Sequence, residues 1–517
     1  MKFATRLFVA MFILAFFAPF GLAQGDDAAG REIYIPRELR NQDWNDPDSQ
    51  WTFARSKSSE HCVVFWEKGF GDDPNAESVP ENMRVDVDEL LNQAEKIYQV
   101  NVEKLGFGGG DEASGLDKYK LEIYLRYMKD WLATGSGYDN VVGALWVSPA
   151  TCRPVGDTIG HELGHAFQYQ VACDHALRGD APESGGFRYA CEDGLGNTIW
   201  EQCAQWQSFQ VYPKEVFKWF HRETWAKNCH RAFEHEWSRY QNYWLFYALK
   251  DLHGAKVVAD VWKRSKRPED FLGAYMRLYR ASQTYGMGIK EYPGGSLPLL
   301  YQDLYYYASH VATFDFEGVP AAPTEWLDSY RPNMIELGDG SLQPAYSSCP
   351  SETGINVIPL DPKAYGESIV AEFTALPIGS PLADGDPGEA KSGEDGEKVA
   401  ERQKTYNTAG KETFLKPAHR FGFVVLRENG ARVYNSKRQP NAFVLGDAFV
   451  NKYGDCQIAQ LDRTVSFEFP IPEDAARLYF VVLGAASRHI PHKWDNDERN
   501  DVQLPYKVKF RAKEETP

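Results

Sequence analysis

Five consecutive residues, His161-Glu162-Leu163-Gly164-His165, carry the most concentrated chemistry in this 517-residue chain. On a helix, residues four apart stand one above the other on one face, so His161 and His165 present two imidazoles to a common point. Imidazole nitrogen suits zinc, and a catalytic zinc needs a third protein ligand and one open position. Glu162 leaves the helix about a third of a turn away, where its carboxylate stands beside a zinc-held water as general base. Zinc lowers the pKa of that water towards ~7 and polarises a carbonyl, so the group would produce a nucleophile at neutral pH. The chemistry implied is hydrolysis, with Zn2+ as cofactor.

These residues need elements to hold them. Asp157 is expected to cap the helix that carries the motif, with Ile159, Leu163, Phe167 and Val171 on its packed face. Before it, 61–66 (HCVVFW) reads as a buried strand. Val87, Leu90, Leu91, Ala94, Tyr98, Val102 and Leu105 follow helical spacing, ended by Gly106. Residues 119–127 alternate as a half-buried strand, and 141–147 form another, stopped by Pro149. The order is strand, helix, strand, strand, then the motif helix. After a Gly-rich acidic loop (174–197), Asn197 or Thr198 caps a second helix running to about Val211. Further helical patterns cover 238–252, 255–265 and 269–282.

Segment 61–171 resembles the upper half of a zincin-type metallopeptidase domain, in which a small sheet precedes the HExxH helix. The resemblance implies a substrate-aligning edge strand just before the motif, a place held here by Gly143–Val147. The metzincin variant requires Gly at 168 and His at 171; this chain has Gln168 and Val171, which excludes it. The gluzincin variant takes a Glu from the next helix, and Glu201 in Trp200-Glu201-Gln202-Cys203-Ala204 resembles that third ligand. His175, Asp174, Glu192 and Asp193 in the intervening loop are the alternatives. Such enzymes also place a Tyr or His at the oxyanion; Tyr243 is the residue named for it, with Tyr240, His230 and His235 as the other options. The whole layout is similar to a group of large secreted bacterial and fungal proteins with an embedded HExxH, a helical middle and a C-terminal β-domain. Ile355–Leu360 and Phe480–Gly484 contribute to that likeness, which supplies no substrate.

The fold class expected is α+β. A zincin-like catalytic domain spans 61–345 (upper part 61–171, helical lower part 196–315), after an irregular lead-in at 24–60. A β-sandwich follows at 346–517, with strands near 366–374, 420–428, 441–450, 464–470, 476–484 and 503–511. A polar stretch at 381–402 reads as a mobile acidic loop within it. Asp495, Asp497, Glu498 and Asp501 do not fit a calcium loop and read as a solvated turn.

Lys2 and Arg6, an apolar run to Phe17 and a small residue at Ala23 give the three-part pattern of an export signal over 1–23, so the protein is expected to be secreted or periplasmic. No later segment is apolar enough to span a membrane. The formal net charge of −17 argues against nucleic acid as a partner. A protein or peptide substrate is expected, with glycan contact a further option for the β-domain. The eight cysteines suggest disulfides in an oxidising compartment, five of them crowding between 152 and 229. The competing function is a catalytically silent zincin-fold binding protein of the cell envelope, which would have no use for the base Glu162.

Overall fold

The computed structural model describes residues 30–109, 113–181, 184–187, 197–280, 297–380, 382–383, 416–434, 457–458, 464–492 and 502–513. The leader at 1–23, the strand expected at 441–450, the acidic turn at 495–501, Glu192, Asp193 and nearly all of the loop 381–402 lie outside the described residues.

The chain is α+β. Its first sheet contains β1 (Ser56–Ser58), β2 (Cys62–Trp66), β3 (Leu121–Leu125), β4 (Ala133–Tyr138) and β5 (Val142–Val147). The strand order is β1-β2-β3-β5-β4. β2, β3 and β5 run parallel, and β1 and β4 are antiparallel at the two edges. Helix α1 (Val87–Tyr98) makes the crossover from β2 to β3; Asp86 caps it by accepting from the Glu89 N–H at 3.0 Å.

Two expectations fail here for physical reasons. β3 was expected to be half-buried, yet all five of its residues are buried, Glu122 included. The lead-in explains this: Ile35, Trp44 and Trp51 pack with Val63, Phe65 and Tyr124 on the face turned away from the main core. The edge strand beside the motif helix is β4, not Gly143–Val147, which is paired on both sides. Its sequence, Ala-Thr-Gly-Ser-Gly-Tyr, has two glycines and little β-propensity, so periodicity does not reveal it.

After the short α2 (Gly115–Lys118) comes the motif helix, α3 (Asp157–Arg178). Gly156 is its N-cap residue and Asp157 its first helical residue; no side chain caps it. The Asp157 carboxylate is instead paired with Lys218. The helical part then runs through α4 (Asn197–Val211), α5 (Trp219–Asn228), α6 (Trp244–His253), α7 (Val257–Arg264), α8 (Phe271–Tyr279) and α9 (Leu297–Val311). No described helix is long and apolar enough to cross a membrane.

Two further five-stranded sheets form the C-terminal sandwich. One has β8 (Ile355–Leu360), β14 (Ala475–Leu483), β10 (Arg420–Arg427), β11 (Arg432–Tyr434) and β12 (Gln457–Ile458). The other has β13 (Thr464–Pro470), β9 (Ser368–Ala375), β15 (Tyr506–Ala512), β7 (Leu342–Pro344) and β6 (Met334–Glu336). β6 and β7 precede residue 346, so strands of the sandwich begin earlier than expected; at three residues each they are too short to show a period. Phe373, Phe421, Phe423, Phe480 and Tyr506 fill the space between the sheets. The opposite face of the first sheet, through Val424, Tyr479, Val481 and Leu483, joins the helical core. Burial on both faces is why β10 and β14 read as continuous apolar runs.

Cys62, Cys152, Cys203 and Cys229 are free thiols, so the bracing expected from cross-links between 152 and 229 does not involve Cys152, Cys203 or Cys229. Burial holds the thiols of Cys62 and Cys203 well above their usual range, which makes them behave as small apolar side chains. Cys191 and Cys456 lie outside the described residues.

Candidate metal centre

The motif helix and α4 pack closely because small residues face each other. A Cβ on Gly160 would come within 2.7 Å of Ser208 Oγ, and one on Gly164 within 3.1 Å of the Ala204 Cα. Glu201, Ala204 and Ser208 share one face of α4, as His161, His165 and Gln168 share one face of α3. Contact of those faces brings Glu201 to the two histidines.

Glu201 Oε2 lies 3.2 Å from His161 Nε2 and 3.3 Å from His165 Nε2, and the two Nε2 atoms are 3.1 Å apart. A tetrahedral ion about 2.0–2.1 Å from each ligand spaces them by roughly 3.3–3.4 Å. The two imidazoles stand at 89° with centroids 4.7 Å apart, so their nitrogens converge edge-on rather than stack. All three residues are buried, and this group can hold a metal ion.

Electrostatics point to a cation. Burial alone would raise the Glu201 carboxyl, but hydrogen bonds and charge from His161 and His165 hold it well below the ordinary carboxylate range. Burial alone would depress the His165 imidazole, and Glu201 raises it instead, to about 9.

Glu162 is placed by the edge strand. The Gly135 N–H donates to Glu162 Oε2 at 3.1 Å. A Cβ at Gly135 would meet Glu162 O at 2.2 Å and His165 Cβ at 2.6 Å, so only glycine lets β4 lie this close to the helix. His161, Glu162, His165 and Glu201 all line a cleft of about 710 Å3.

The other named residues part company. Tyr243 is buried in the core, and its hydroxyl donates to Val216 O at 2.7 Å, which removes it from the site. The helix expected from 238 starts only at Trp244, so Tyr240 sits in the preceding turn and reaches the cleft. Its ring centroid is 5.8 Å from that of His161. Burial, with the charges of Glu201 and Glu162, raises its hydroxyl above the usual range and keeps it protonated. Asp174 accepts from Ser114 Oγ, the Gly115 N–H and Gln170 Nε2 at 2.7–2.9 Å, a structural role away from the centre. His175 Nδ1 pairs with Asp180 at 2.8 Å, and its Nε2 contacts Lys263 O at 2.9 Å. His230 lines a different cleft and His235 joins a second cluster.

Sequence reasoning missed His221, which also lines the metal cleft. Burial, then Lys218 and His161, lowers it to about 3, so it is a neutral imidazole. Trp131 and Phe220, 62% and 47% exposed, flank the mouth. No spacing rule singles these out, because each comes from a loop or a helix start.

Neither the curated proteins nor the solved structures provide a match to this chain. Residues 25–516 match the Family of unknown function (DUF6055), and with nearly its whole length covered the chain belongs to that family.

Proposed function

We propose that the protein is an exported zinc-dependent hydrolase, a gluzincin-like endopeptidase in which His161, His165 and Glu201 hold the metal and Glu162 is the general base. One observation carries this: three ligand atoms from two helices lie 3.1–3.3 Å apart on a cleft wall, with the Glu162 carboxylate beside them. Two imidazoles, one carboxylate and an open side are the donor set of a catalytic zinc site. When bound, zinc would supply Lewis acidity and a water acidified to about pKa 7.

The chain's own residues then have defined work. Glu162 takes the proton from the attacking water and delivers it to the leaving amine nitrogen. The Gly135 N–H orients that carboxylate through Oε2 and leaves its other oxygen for the proton. Tyr240, in its protonated form, stands where it can donate to the oxygen that turns negative on attack, and the neutral His221 lies on the same wall. β4 is bonded to β5 on one side only, and the Gly135 N–H already points from its other edge into the site. An extended peptide aligned along that edge would bring its carbonyls past the metal. A parallel sheet closed by an antiparallel strand against the metal-binding helix supports the zincin-like reading of residues 61–171. The sandwich offers the second surface, for protein or glycan contact.

Metal analysis with proteolysis assays on wild type and Glu162→Gln tests the proposal. One zinc per chain in both proteins and cleavage only by wild type is expected, since the change removes the base and keeps every ligand. Zinc without cleavage of any peptide or protein substrate would favour the silent binding protein instead.

A further inference from the structure

His165 binds a metal through Nε2 only if its proton sits on Nδ1, so something must choose that tautomer. We propose that Gln168, Gln207 and Asn101 form a relay of positioning residues that makes the choice. The proposal rests on the metal centre described above, and goes beyond it by assigning residues on three separate elements to its tuning.

The direction of the relay follows from its far end. Ile97 O is a backbone carbonyl and can only accept, so Asn101 must turn Nδ2 towards it, at 2.9 Å. Asn101 therefore presents Oδ1 the other way, where it accepts from Gln207 Nε2 at 2.7 Å. Gln207 Oε1 is then left to accept from Gln168 Nε2 at 3.0 Å. The same Gln168 nitrogen donates to Trp200 O at 3.1 Å, a second group that can only accept. Both constraints turn Gln168 Oε1 towards His165 Nδ1, at 3.0 Å. An amide oxygen cannot donate, so the proton of that contact belongs to His165 Nδ1. The Nε2 lone pair is left facing Glu201 and His161.

Two backbone carbonyls thus fix three side-chain amides, and no amide flip satisfies the network as well. Gln168, Gln207 and Asn101 are 1%, 0% and 0% exposed, so bulk water cannot take a partner's place. Asn101 reaches the core from a wide π-helical turn, Gln99–Lys104, that interrupts the regular helix after α1; such turns are an established way of re-aiming one side chain. A further donor on the path, Cys203 Sγ, lies 3.5 Å from Gln207 Oε1 and reinforces the same polarity. His161 Nδ1, by contrast, is buried and has no hydrogen-bond partner among the described residues. Tautomer selection therefore falls on His165.

The choice of an amide has a chemical consequence. A carboxylate beside a ligating imidazole draws on its proton and makes the ring a stronger donor to the metal. Gln168 cannot take that proton. His165 would stay a neutral donor to a bound ion, which would leave more of that ion's charge for a substrate carbonyl.

The test compares wild type, Gln168→Leu, Gln168→Glu and Asn101→Leu, measuring the zinc dissociation constant by chelator competition and, at a pH above the raised His165 value of about 9 where the metal-free ring carries a single proton, the His165 tautomer by nitrogen NMR of the metal-free proteins. Gln168→Leu should weaken zinc by about 10- to 100-fold and populate the Nε2–H form. Asn101→Leu touches neither His165 nor the metal, yet should move both readouts in the same direction. Gln168→Glu keeps the shape and should fold; it should bind zinc at least as tightly as wild type and move the acid limb of the activity profile to higher pH. Folded variants with an unchanged dissociation constant and tautomer would overturn the relay and leave a packing role only. Wild type that binds no zinc would overturn the metal centre itself, a separate failure visible before any variant is made.

Discussion

Among the described residues, two buried groups of two histidines and one carboxylate could hold a metal ion, and their geometries differ. His161, His165 and Glu201 bring their ligand atoms within 3.1–3.3 Å of one another, with rings at 89°. His235, Glu236 and His492 have the same composition and comparable burial. There the two rings are stacked at 26°, 5.0 Å apart, so their lone pairs run side by side. Both nitrogens of His235 already face donors: the Trp237 N–H at 3.1 Å from Nδ1 and the Arg231 guanidinium at 3.0 Å from Nε2. A fixed positive charge at that distance repels a divalent cation. His492 Nε2 meets Glu236 at 3.1 Å and ties the segment after β14 to the helical part. Beside it, His489 lies between Asp270 at 2.7 Å and Glu352 at 3.1 Å. Composition is the same in the two places; convergence of lone pairs separates a metal site from a clasp.

The largest expected effect breaks the first cluster and spares the second. Glu201→Ala should lower zinc affinity by more than about 100-fold, beyond what loss of an outer partner gives. Glu236→Ala should leave zinc content at one per folded chain. Two zinc ions in wild type, with one lost in Glu236→Ala, would erase the distinction. Next comes the clasp. Burial would depress His489, but Asp270 and Glu352 hold it well above its usual range, as a charged imidazolium. Removing it in His489→Leu leaves two buried carboxylates uncompensated, at a cost of about 3–5 kcal/mol in urea unfolding. A loss below about 1 kcal/mol would mean that water reaches the pair.

The same contrast, between a group facing the cleft and one consumed by the fold, separates two tyrosines three residues apart. Tyr240→Phe should reduce kcat by about 100-fold with little change in stability. Tyr243→Phe should leave kcat unchanged and cost about 1 kcal/mol, the hydrogen bond to Val216 O. Reversed outcomes would return the oxyanion role to Tyr243.

Local pattern made a good part of this legible, and non-local packing hid the rest. His161, Glu162 and His165 follow from the four-residue repeat of a helix, whereas Glu201 was pointed to by the resemblance to the gluzincin pattern. Five of the six strands expected in the sandwich are present, because each carries enough apolar residues to show a period; the sixth, 441–450, lies outside the described residues. β4 was hidden because glycine, needed for close approach to α3, is also what lowers strand propensity. Tyr240 was displaced by a helix that starts six residues later than its apolar pattern suggests. Asp157 had the chemistry of a cap, yet Lys218, 61 residues on, claims its carboxylate. Gln168 was visible only as a departure at position 168; its partners, Gln207 and Asn101, come together solely through tertiary packing.

The smallest effect concerns Glu234, which lies next to the clasp and turns it into a pH-dependent element. Burial is the main cause that raises its carboxyl above the ordinary value of 4.5, and the Asp270 charge adds to it, against the opposing influence of His489, His492 and the Phe271 N–H. The folded state therefore binds this proton more tightly than the unfolded chain does. The stability it contributes is present in full below the ordinary carboxyl range and is lost as pH rises through the elevated folded value. His489 has the same sign, its contribution fading as pH rises from about 6.5 through its own raised value. Glu234→Gln retains the shape and cannot ionise, so it should match wild type near pH 4 and exceed it near pH 9 by at least about 1.4 kcal/mol, the worth of one pKa unit. The candidate metal centre is common to both proteins and cancels in the difference. Parallel stability curves across that range would show that Glu234 is already ionised at neutral pH.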